Sequence, residues 1–375
     1  MGKTLYFVAG EASADNHGAD LMKAVHALNA DVTFIGRGGP HMRAVAGQGL
    51  ENWIAHAGVL GLWEVLKQYG YFREKFRETL REVEKSRPDA VILIDYPGFN
   101  LRLARTLRRQ HVARKIVYYI SPQVWAWNRR RITKMARWID LMLCIFPFEA
   151  ELYNKSGLRT VFVGHPMIDR LRARNVDIRR DSNLIGLFPG SRAREVRKIF
   201  PLLVATAREL RRANPTLRFE ISAASTDLAA RIQSVLDRHP QDRQFFAIKV
   251  ADAPSTMQRA HVGIIASGSA TLEAAYFRLP FVLVYKVTWL TYLAARLLVR
   301  VKFLGMPNVL ANKEIVPEFI QHEARAGAIA RAVLRLINNE VARERMISEF
   351  NRIIASLGEG GASERAARAI LAEIR

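Results

Sequence analysis

The sequence predicts an α/β protein made of two doubly wound parallel sheets, and three observations support this prediction. Short apolar runs without alternation recur along the chain, as expected for parallel strands buried on both faces. Amphipathic helical patterns separate these runs. The alternation is interrupted between about Leu171 and Ser182, where the chain is polar and Arg-rich. We therefore expect two Rossmann-like domains that face one another across a cleft, followed by helices.

The predicted domains follow from where the alternation stops and restarts. Residues 1–170 form an N-terminal domain and residues 171–345 a second one, while the helices of 346–375 are free to cross back to the first. The strands of the N-terminal domain are expected at Thr4–Ala9, Thr33–Ile35, Asp89–Ile94, Lys115–Ser121, Leu141–Ile145 and Thr160–Val163. Those of the second are expected at Leu184–Phe188, Leu217–Ala223, Phe245–Val250, from Val262 and at Phe281–Tyr285.

Composition restricts the cellular setting of the chain. The single cysteine, Cys144, excludes an intrachain disulfide and favours a reducing compartment. The N-terminal apolar run is too short for a signal peptide, and charges interrupt the longest apolar stretch, Phe281–Leu304. We expect a cytoplasmic protein without a membrane span.

The net charge of +22 predicts an anionic partner surface or a very soluble basic protein. It concentrates in a basic segment whose members are Arg102, Arg105, Arg108, Arg109, Arg114, Lys115, Arg129, Arg130, Arg131, Lys134 and Arg137, against Asp140 alone. Such a segment suits nucleic acid, anionic lipid or phosphorylated substrates, and solvated helix faces are the simpler interpretation.

Polar residues at the ends of two N-terminal strands are candidates for catalysis. Asp95 directly follows the buried strand that ends at Ile94, where an α/β enzyme places a general base, although it can also cap the next helix. The turn after the first strand, Gly10–Asp15, supplies Glu11 and Ser13 at the same edge, and the helix after it is expected from about Asn16.

Two turns in the second half predict a nucleotide diphosphate site. Pro189-Gly190-Ser191-Arg192 and Ser267-Gly268-Ser269 each follow a strand and precede a helix, so their N–H groups point into open space. Ser269 or Thr271 is expected to cap the second helix, and Glu273 in its first turn suits a ribose diol. An ordinary capped helix is the competing interpretation. We find no D-x-D pair, P-loop or metal-ligand spacing, so Arg192 and helix ends take the role of a metal.

Motifs along nearly the whole chain resemble the lipid-A-disaccharide synthase family. They are Gly10-Glu11-Ala12-Ser13, Leu60-Gly61 with Glu64-Val65-Leu66, Asp95 with Pro97, Phe99 and Asn100, Ser121-Pro122 with Val124-Trp125-Ala126-Trp127, Pro189-Gly190-Ser191-Arg192 with Glu195, Ser267-Gly268 with Ala270-Thr271-Leu272-Glu273, and Pro307-Asn308 with Leu310-Ala311. Each motif is weak alone, but the ordered set is specific.

The resemblance implies a GT-B, inverting, metal-independent glycosyltransferase without a cofactor. Its expected substrates are UDP-2,3-diacylglucosamine and 2,3-diacylglucosamine 1-phosphate. Its expected location is the cytoplasmic face of the inner membrane. No nucleic-acid partner is expected, and a homodimer is possible. Asp95 would be the base, with Glu11, Ser13 and Asn100 on the acceptor side. The expected nucleotide-sugar ligands are Gly190, Ser191, Arg192, Ser267, Gly268, Ser269, Thr271, Glu273 and Asn308.

Three positions depart from the family pattern and leave fine substrate preference open. Ala14 stands where the family usually has Gly, Gly98 where it often has a second Asp, and Ser269 where it usually has Thr. The sequence alone leaves two alternatives open. The protein could be a different UDP-sugar enzyme of this architecture, such as a soluble transferase or a 2-epimerase, or a basic nucleic-acid-binding protein.

Two apolar stretches are candidates for contact with lipid. Leu60, Trp63 and Tyr71 lie off the helical stripe of Val59–Val83, in which Gly70 predicts a break. A second helical stripe after Trp289 comprises Leu290, Leu293, Ala294, Leu297, Leu298 and Val301, with Arg296, Arg300 and Lys302 beside it. Core packing is the alternative for both.

Overall fold

A computed structural model describes residues 2–54, 69–126, 128, 130–176, 178–238, 240–288 and 302–375. The chain forms two compact units, unit 1 (Met1–Pro166 with Leu357–Arg375) and unit 2 (Met167–Ser356). The sequence placed these limits after residues 170 and 345. The second limit differs more, because the helix that ends at Ser356 packs on helices of unit 2.

Unit 1 is a seven-stranded parallel sheet with helices between its strands. The strands are β1 Lys3–Ala9, β2 Val32–Gly38, β3 Leu50–Asn52, β4 Ala90–Ile94, β5 Ile116–Tyr119, β6 Leu141–Cys144 and β7 Thr160–Phe162. The helices are α1 Ala12–Leu28, α2 Pro40–Ala46, α3 Tyr69–Ser86, α4 Pro97–Arg109, α5 Arg130–Met135 and α6 Pro147–Lys155, with 3-10 turns at Gly47–Gly49 and Val124–Ala126. The order β3-β2-β1-β4-β5-β6-β7 is that of a doubly wound sheet.

One helix boundary in unit 1 differs from the sequence prediction. α1 begins at Ala12 instead of Asn16, so most of the predicted turn is its first turn. The reason is Asp15, which is buried and accepts hydrogen bonds from the N–H groups of Gly39, His41 and Met42, all at 2.9 Å. The break expected at Gly70 stays a prediction, because α3 is described from Tyr69 onward and residues 55–68, with Leu60 and Trp63, are outside the described residues.

Unit 2 contains a six-stranded parallel sheet in the order β10-β9-β8-β11-β12-β13. Its strands are β8 Asp181–Phe188, β9 Arg218–Ala223, β10 Phe246–Val250, β11 Ala260–Ala266, β12 Phe281–Tyr285 and β13 Glu318–Ile320. Its helices are α7 Met167–Arg172, α8 Ala193–Ala213, α9 Thr226–Leu236, α10 Pro240–Arg243, α11 Ala253–Arg259, α12 Ala270–Tyr276, α13 Met306–Ala311, α14 Ala326–Asn338 and α15 Glu340–Ser356. The stripe after Trp289 is outside the described residues, apart from Lys302.

The last helix, α16 (Ala362–Glu373), belongs to unit 1 and packs on α1. Ala366, Ala367 and Ile370 are buried in the same apolar core as β1 and β4. Glu373 connects this helix to the residues just before β5 and β7 through ion pairs with Lys115 at 2.7 Å and Arg159 at 2.6 Å. Unit 1 therefore consists of two segments that are distant in sequence.

A buried arginine fixes α3 to the edge of the unit 1 sheet. Arg37 on β2 is fully buried, and its guanidinium pairs with Glu51, Glu78 and Glu82. Its Nε also donates to the Thr79 hydroxyl at 2.9 Å. A buried guanidinium needs such partners because leaving its charge unpaired would be costly. These three glutamates are close enough to bind a cation, but they already surround Arg37.

None of the helices within the described ranges is long and apolar enough to cross a lipid bilayer.

Candidate functional site

The predicted base and the first turn come together where the chain order of the unit 1 sheet reverses. β1 pairs with β4 in parallel, with Ala9 opposite Ile94, so Glu11 and Asp95 follow neighbouring strands at one edge. In the sheet, β2 is the other neighbour of β1, and β5 is the other neighbour of β4. Ligands of open α/β sheets bind at the carboxyl ends of strands at such a switch point. The sequence alone did not order the strands, and the structure supplies this adjacency.

Asp95 occupies an unusual backbone conformation. Its φ is +45°, and Tyr96 after it has a φ of +48°, so two successive residues that are not glycine are left-handed. Asp95 is not the N-cap of α4, since Tyr96 takes that position and its side chain makes no cap bond. The Tyr96 ring lies over Gly10, where an added Cβ would be 2.3 Å from a ring carbon. Glycine at position 10 is therefore required for this conformation.

The environment of Asp95 favours its neutral form. Burial, and secondly the negative charge of Glu11, raise the pKa of Asp95 from 3.8 to about 6. A carboxyl with a pKa just below neutral pH is ionised under working conditions and is still basic enough to accept a proton. Its proximity to Glu11 supports the grouping of these two residues that the sequence suggested.

The other predicted acceptor-side residues occupy different positions. Asn100 is fully buried in α4, and its Nδ2 donates to the carbonyl oxygens of Ile94 at 3.1 Å and Asp95 at 2.8 Å. Ser13 is exposed in the first turn of α1. Asn100 thus supports the Asp95 loop, whereas Ser13 is accessible to a substrate.

The two turns predicted to bind a diphosphate are neighbours in unit 2. β8 pairs with β11 in parallel, with Phe188 opposite Ile265, so the turns that follow these strands share one edge. The two turns therefore lie close together at that edge. The pair is also the switch point of its sheet, because β9 lies beyond β8 and β12 beyond β11.

The first of these turns already holds a carboxylate. Gly190 has a φ of +108°, and the N–H groups of Ser191 and Arg192 both donate to Glu195 Oε2, at 3.2 Å and 3.4 Å. Arg192 Nη1 lies 3.3 Å from Glu195 Oε1, and the Arg192 side chain is 81% exposed. The N–H groups at the start of α8 therefore converge on a negative group, as expected for an anion site.

The second turn has open space at Gly268. Gly268 has a φ of +150°, with nothing within 4 Å of an added Cβ. Neither Ser269 nor Thr271 caps α12 as expected: the Ser269 side chain makes no cap bond, and the Thr271 hydroxyl donates to the Gly268 carbonyl at 2.8 Å. Ser269 has helical backbone angles, φ −59° and ψ −28°, instead of the extended conformation in which an N-cap side chain reaches the N–H groups of the first turn. The Ser269 hydroxyl remains available to a ligand.

Glu273 has a partner that the sequence did not reveal. Arg170 in α7 donates to Glu273 Oε1 at 2.7 Å, and the Glu273 side chain is largely buried. The two residues are far apart in sequence, so neither periodicity nor motif spacing could connect them. The ion pair fixes the direction of the carboxylate while its second oxygen can still accept a hydrogen bond.

Asn308 does not fit a direct sugar contact. It is fully buried, its Nδ2 donates to Val316 O and Glu318 Oε1, both at 2.8 Å, and its Oδ1 accepts from the N–H groups of Ile315 and Val316. Both ends of the amide are used within unit 2. Asn308 therefore supports the segment that leads into β13.

Trp125, which belongs to the motif that begins at Ser121, is buried. Its Nε1 donates to Glu149 Oε1 at 2.8 Å, and Glu149 also accepts from the Phe146 N–H. Burial raises the pKa of Glu149 to about 7. The pair fixes the 3-10 turn after β5, and Trp127 is outside the described residues.

Known proteins resemble this chain over its full length. The family described as Lipid-A-disaccharide synthetase matches residues 5–372. Lipid-A-disaccharide synthase of Geobacter metallireducens is 38% identical, covering 98% of this chain and 97% of its own. Lipid-A-disaccharide synthase 1 of Legionella pneumophila is 37% identical, covering 95% and 93%.

A solved structure supports the fold. A putative UDP-N-acetylglucosamine 2-epimerase from Listeria monocytogenes has a TM-score of 0.63, covers 98% of this chain and 95% of its own, and is 12% identical. At this identity the likeness concerns architecture alone, and it confirms the predicted GT-B class of two Rossmann-like units with a helical C-terminal segment. The family match and the close relatives show that the chain belongs to the lipid-A-disaccharide synthetase family of glycosyltransferases.

Proposed function

We propose that this glycosyltransferase joins UDP-2,3-diacylglucosamine to 2,3-diacylglucosamine 1-phosphate in lipid A biosynthesis. The products are UDP and a β(1→6)-linked disaccharide 1-phosphate. The observation that carries the proposal is the placement of functional groups at the switch points of both sheets. Asp95 and Glu11 occupy that of unit 1, and the two anion-binding turns occupy that of unit 2.

Asp95 acts as the general base in this proposal. The acceptor 6-hydroxyl oxygen attacks the anomeric carbon of the donor from the face opposite UDP, and a new C–O bond forms as the bond to the diphosphate breaks. The hydroxyl proton passes to the Asp95 carboxylate, and UDP leaves with the bonding pair. Attack from the opposite face inverts the anomeric configuration, which accounts for a β-linkage.

The turns of unit 2 hold the UDP part of the donor. N–H groups at Gly190, Ser191 and Gly268, with the hydroxyls of Ser191 and Ser269, face the diphosphate, and the exposed Arg192 guanidinium pairs with its charge. Glu273, directed by Arg170, accepts hydrogen bonds from the ribose hydroxyls. Ser267 and Thr271 support the second turn. Together these groups stabilise negative charge that develops on the leaving group.

The Asp95→Asn variant tests the base assignment. Asn keeps the size of the side chain and cannot take the proton, so turnover should fall about 100-fold or more while UDP affinity stays nearly unchanged. UDP release with the acylated substrate pair measures turnover, and calorimetry measures affinity. Near-normal turnover would remove Asp95 from the chemistry. Equal activity with deacylated substrates would indicate a different UDP-sugar transferase.

Arg192→Lys tests the donor site. An ammonium group cannot reproduce the planar fork of a guanidinium, so UDP binding should weaken by about tenfold. Arg212→Lys is a matched control, because Arg212 is also exposed on α8 and pairs with Glu209 three residues away at 2.7 Å. Unchanged UDP affinity in Arg192→Lys would exclude Arg192 from the site.

The acylated substrates suggest that the enzyme works at an anionic membrane surface. The basic segment of residues 102–137 contributes exposed cations, among them Arg102 and Arg109 on α4. Each basic residue near anionic lipid contributes about 1 kcal/mol, screened by salt. We expect sedimentation with phosphatidylglycerol vesicles and not with phosphatidylcholine vesicles.

A pair of charge-reversal variants locates the membrane contact. Reversal of Arg102 and Arg109 to Glu should weaken binding to phosphatidylglycerol at least about tenfold. Reversal of Arg231 and Arg238, which are exposed in unit 2, changes the net charge equally and serves as the control. Equal loss in both would mean that only net charge matters, and no sedimentation of the wild type at low salt would refute the peripheral-membrane assignment.

A further inference from the structure

Left-handed residues other than glycine occur at two adjacent strand ends around Asp95. Asp95 and Tyr96 after β4 are left-handed, and so is the β-branched Ile120 after β5, with a φ of +63°. Such conformations persist only where the surrounding structure holds them. The groups that hold Asp95 therefore determine where its carboxylate points.

The carbonyl oxygen of Asp95 is held from two sides. The pairing of β4 with β5 ends at Ile94 opposite Tyr119, and the Asp95 N–H still donates to Tyr119 O at 3.0 Å. The Asp95 carbonyl instead accepts two side-chain hydrogen bonds, from Tyr118 Oη at 2.5 Å and from Asn100 Nδ2 at 2.8 Å. One donor comes from β5 and the other from α4, so the peptide after Asp95 cannot rotate without breaking both bonds.

Tyr118 has no other evident reason to place a hydroxyl at this point. It is fully buried on a central strand, where an aromatic ring alone would fill the space. A buried hydroxyl is costly unless it is hydrogen-bonded, and Tyr118 directs its hydroxyl to the peptide of the proposed base. The family motifs in the sequence do not include Tyr118.

We infer that Tyr118 is a positioning residue for the Asp95 carboxylate and acts together with Asn100 through the Asp95 carbonyl oxygen. This inference depends on the proposed role of Asp95 as the base. Tyr118 does not touch the reacting atoms. It fixes the left-handed conformation from which the Asp95 side chain reaches the acceptor hydroxyl.

A double-mutant cycle tests the inference. Tyr118→Phe removes only the hydroxyl, and we expect turnover to fall about tenfold or more, with UDP affinity unchanged, because a small displacement of a catalytic group is costly. In the Asp95→Asn background the same change should reduce the residual turnover less than about twofold, since there is no longer a base to position. A role in stability alone would lower activity equally in both backgrounds and would refute the inference.

Tyr6→Phe is the matched control. Tyr6 is also buried, lies on β1, which β4 separates from β5, and donates to Glu82 Oε2 at 2.5 Å instead of to Asp95. We expect near wild-type turnover from Tyr6→Phe, and a loss equal to that of Tyr118→Phe would also contradict the inference.

A second variant and one control result complete the test. If Tyr118→Phe does not fold, Asn100→Ser provides the same cycle, because serine is too short to reach the Asp95 carbonyl. Near-normal turnover of Asp95→Asn would refute the proposed base itself. That result is distinct from a failure of positioning, in which Asp95→Asn is inactive and Tyr118→Phe is not impaired.

Discussion

Replacement of Asp95 by Asn should stabilise the protein while it strongly lowers turnover. The folded-state pKa of Asp95 is raised from 3.8 to about 6, chiefly by burial. The folded state therefore binds this proton more tightly than the unfolded state does. The Asp95 contribution to the free energy of unfolding falls as the pH rises from about 4 to about 6. Above that range the destabilisation by the ionised carboxylate is complete.

The size of the penalty follows from the pKa difference. At about 1.4 kcal/mol per pH unit, the difference between 3.8 and about 6 corresponds to about 3 kcal/mol as an upper value. Asn cannot ionise, so Asp95→Asn should be up to about 3 kcal/mol more stable than wild type at pH 8 and about equally stable at pH 4. Asn also tolerates a left-handed backbone at least as well as Asp does.

Denaturant unfolding followed by tryptophan fluorescence measures this effect. Every tryptophan except Trp289 lies in unit 1, so the signal reports mainly the unit that contains Asp95. Asp20→Asn, on the exposed side of α1, is the control for loss of one negative charge. A variant no more stable than wild type at pH 8, or one whose advantage persists at pH 4, would refute the buried-carboxylate account.

Two further predictions concern acidic residues beside the two proposed sites. Glu11→Gln removes the negative charge that raises the pKa of Asp95. The acid limb of the pH profile of kcat/KM, expected near pH 6, should therefore move to lower pH. An unchanged limb would show that Glu11 does not act on Asp95. Glu195→Gln keeps an acceptor for the turn N–H groups but removes the charge that a diphosphate must displace, so UDP should bind about fivefold more tightly, about 1 kcal/mol. Calorimetry against Glu209→Gln checks this, and weaker binding would mean that the Glu195 charge is needed to hold Arg192.

The sequence identified most of the strands and the turns that follow them, because buried parallel strands are apolar throughout and end abruptly. It placed Asp95, the Ser191-Arg192 turn and the Gly268 turn correctly at strand ends. The start of α1 was predicted wrongly because Asp15 accepts hydrogen bonds from N–H groups at the start of α2. These groups are 24 or more residues away in sequence, so sequence patterns do not reveal the contact. The sequence did not reveal the roles of Tyr118 and Arg170 either, because strand order and packing determine their partners. The Asn308 amide was predicted to contact the sugar, but it makes four hydrogen bonds within unit 2.

The return of α16 to unit 1 has a consequence for synthesis on the ribosome. The first 166 residues emerge early, but the helix that covers α1 comes from the end of the chain, after all of residues 167–356. At a translation rate of ~5 to 20 residues per second, the incomplete unit waits roughly 10 to 40 s with part of its core uncovered. Stalled nascent chains that end at Ser356 should therefore leave α1 open to protease, whereas released full-length chains should protect it. Unit 2, whose residues are contiguous, can complete its folding first even though it is made second.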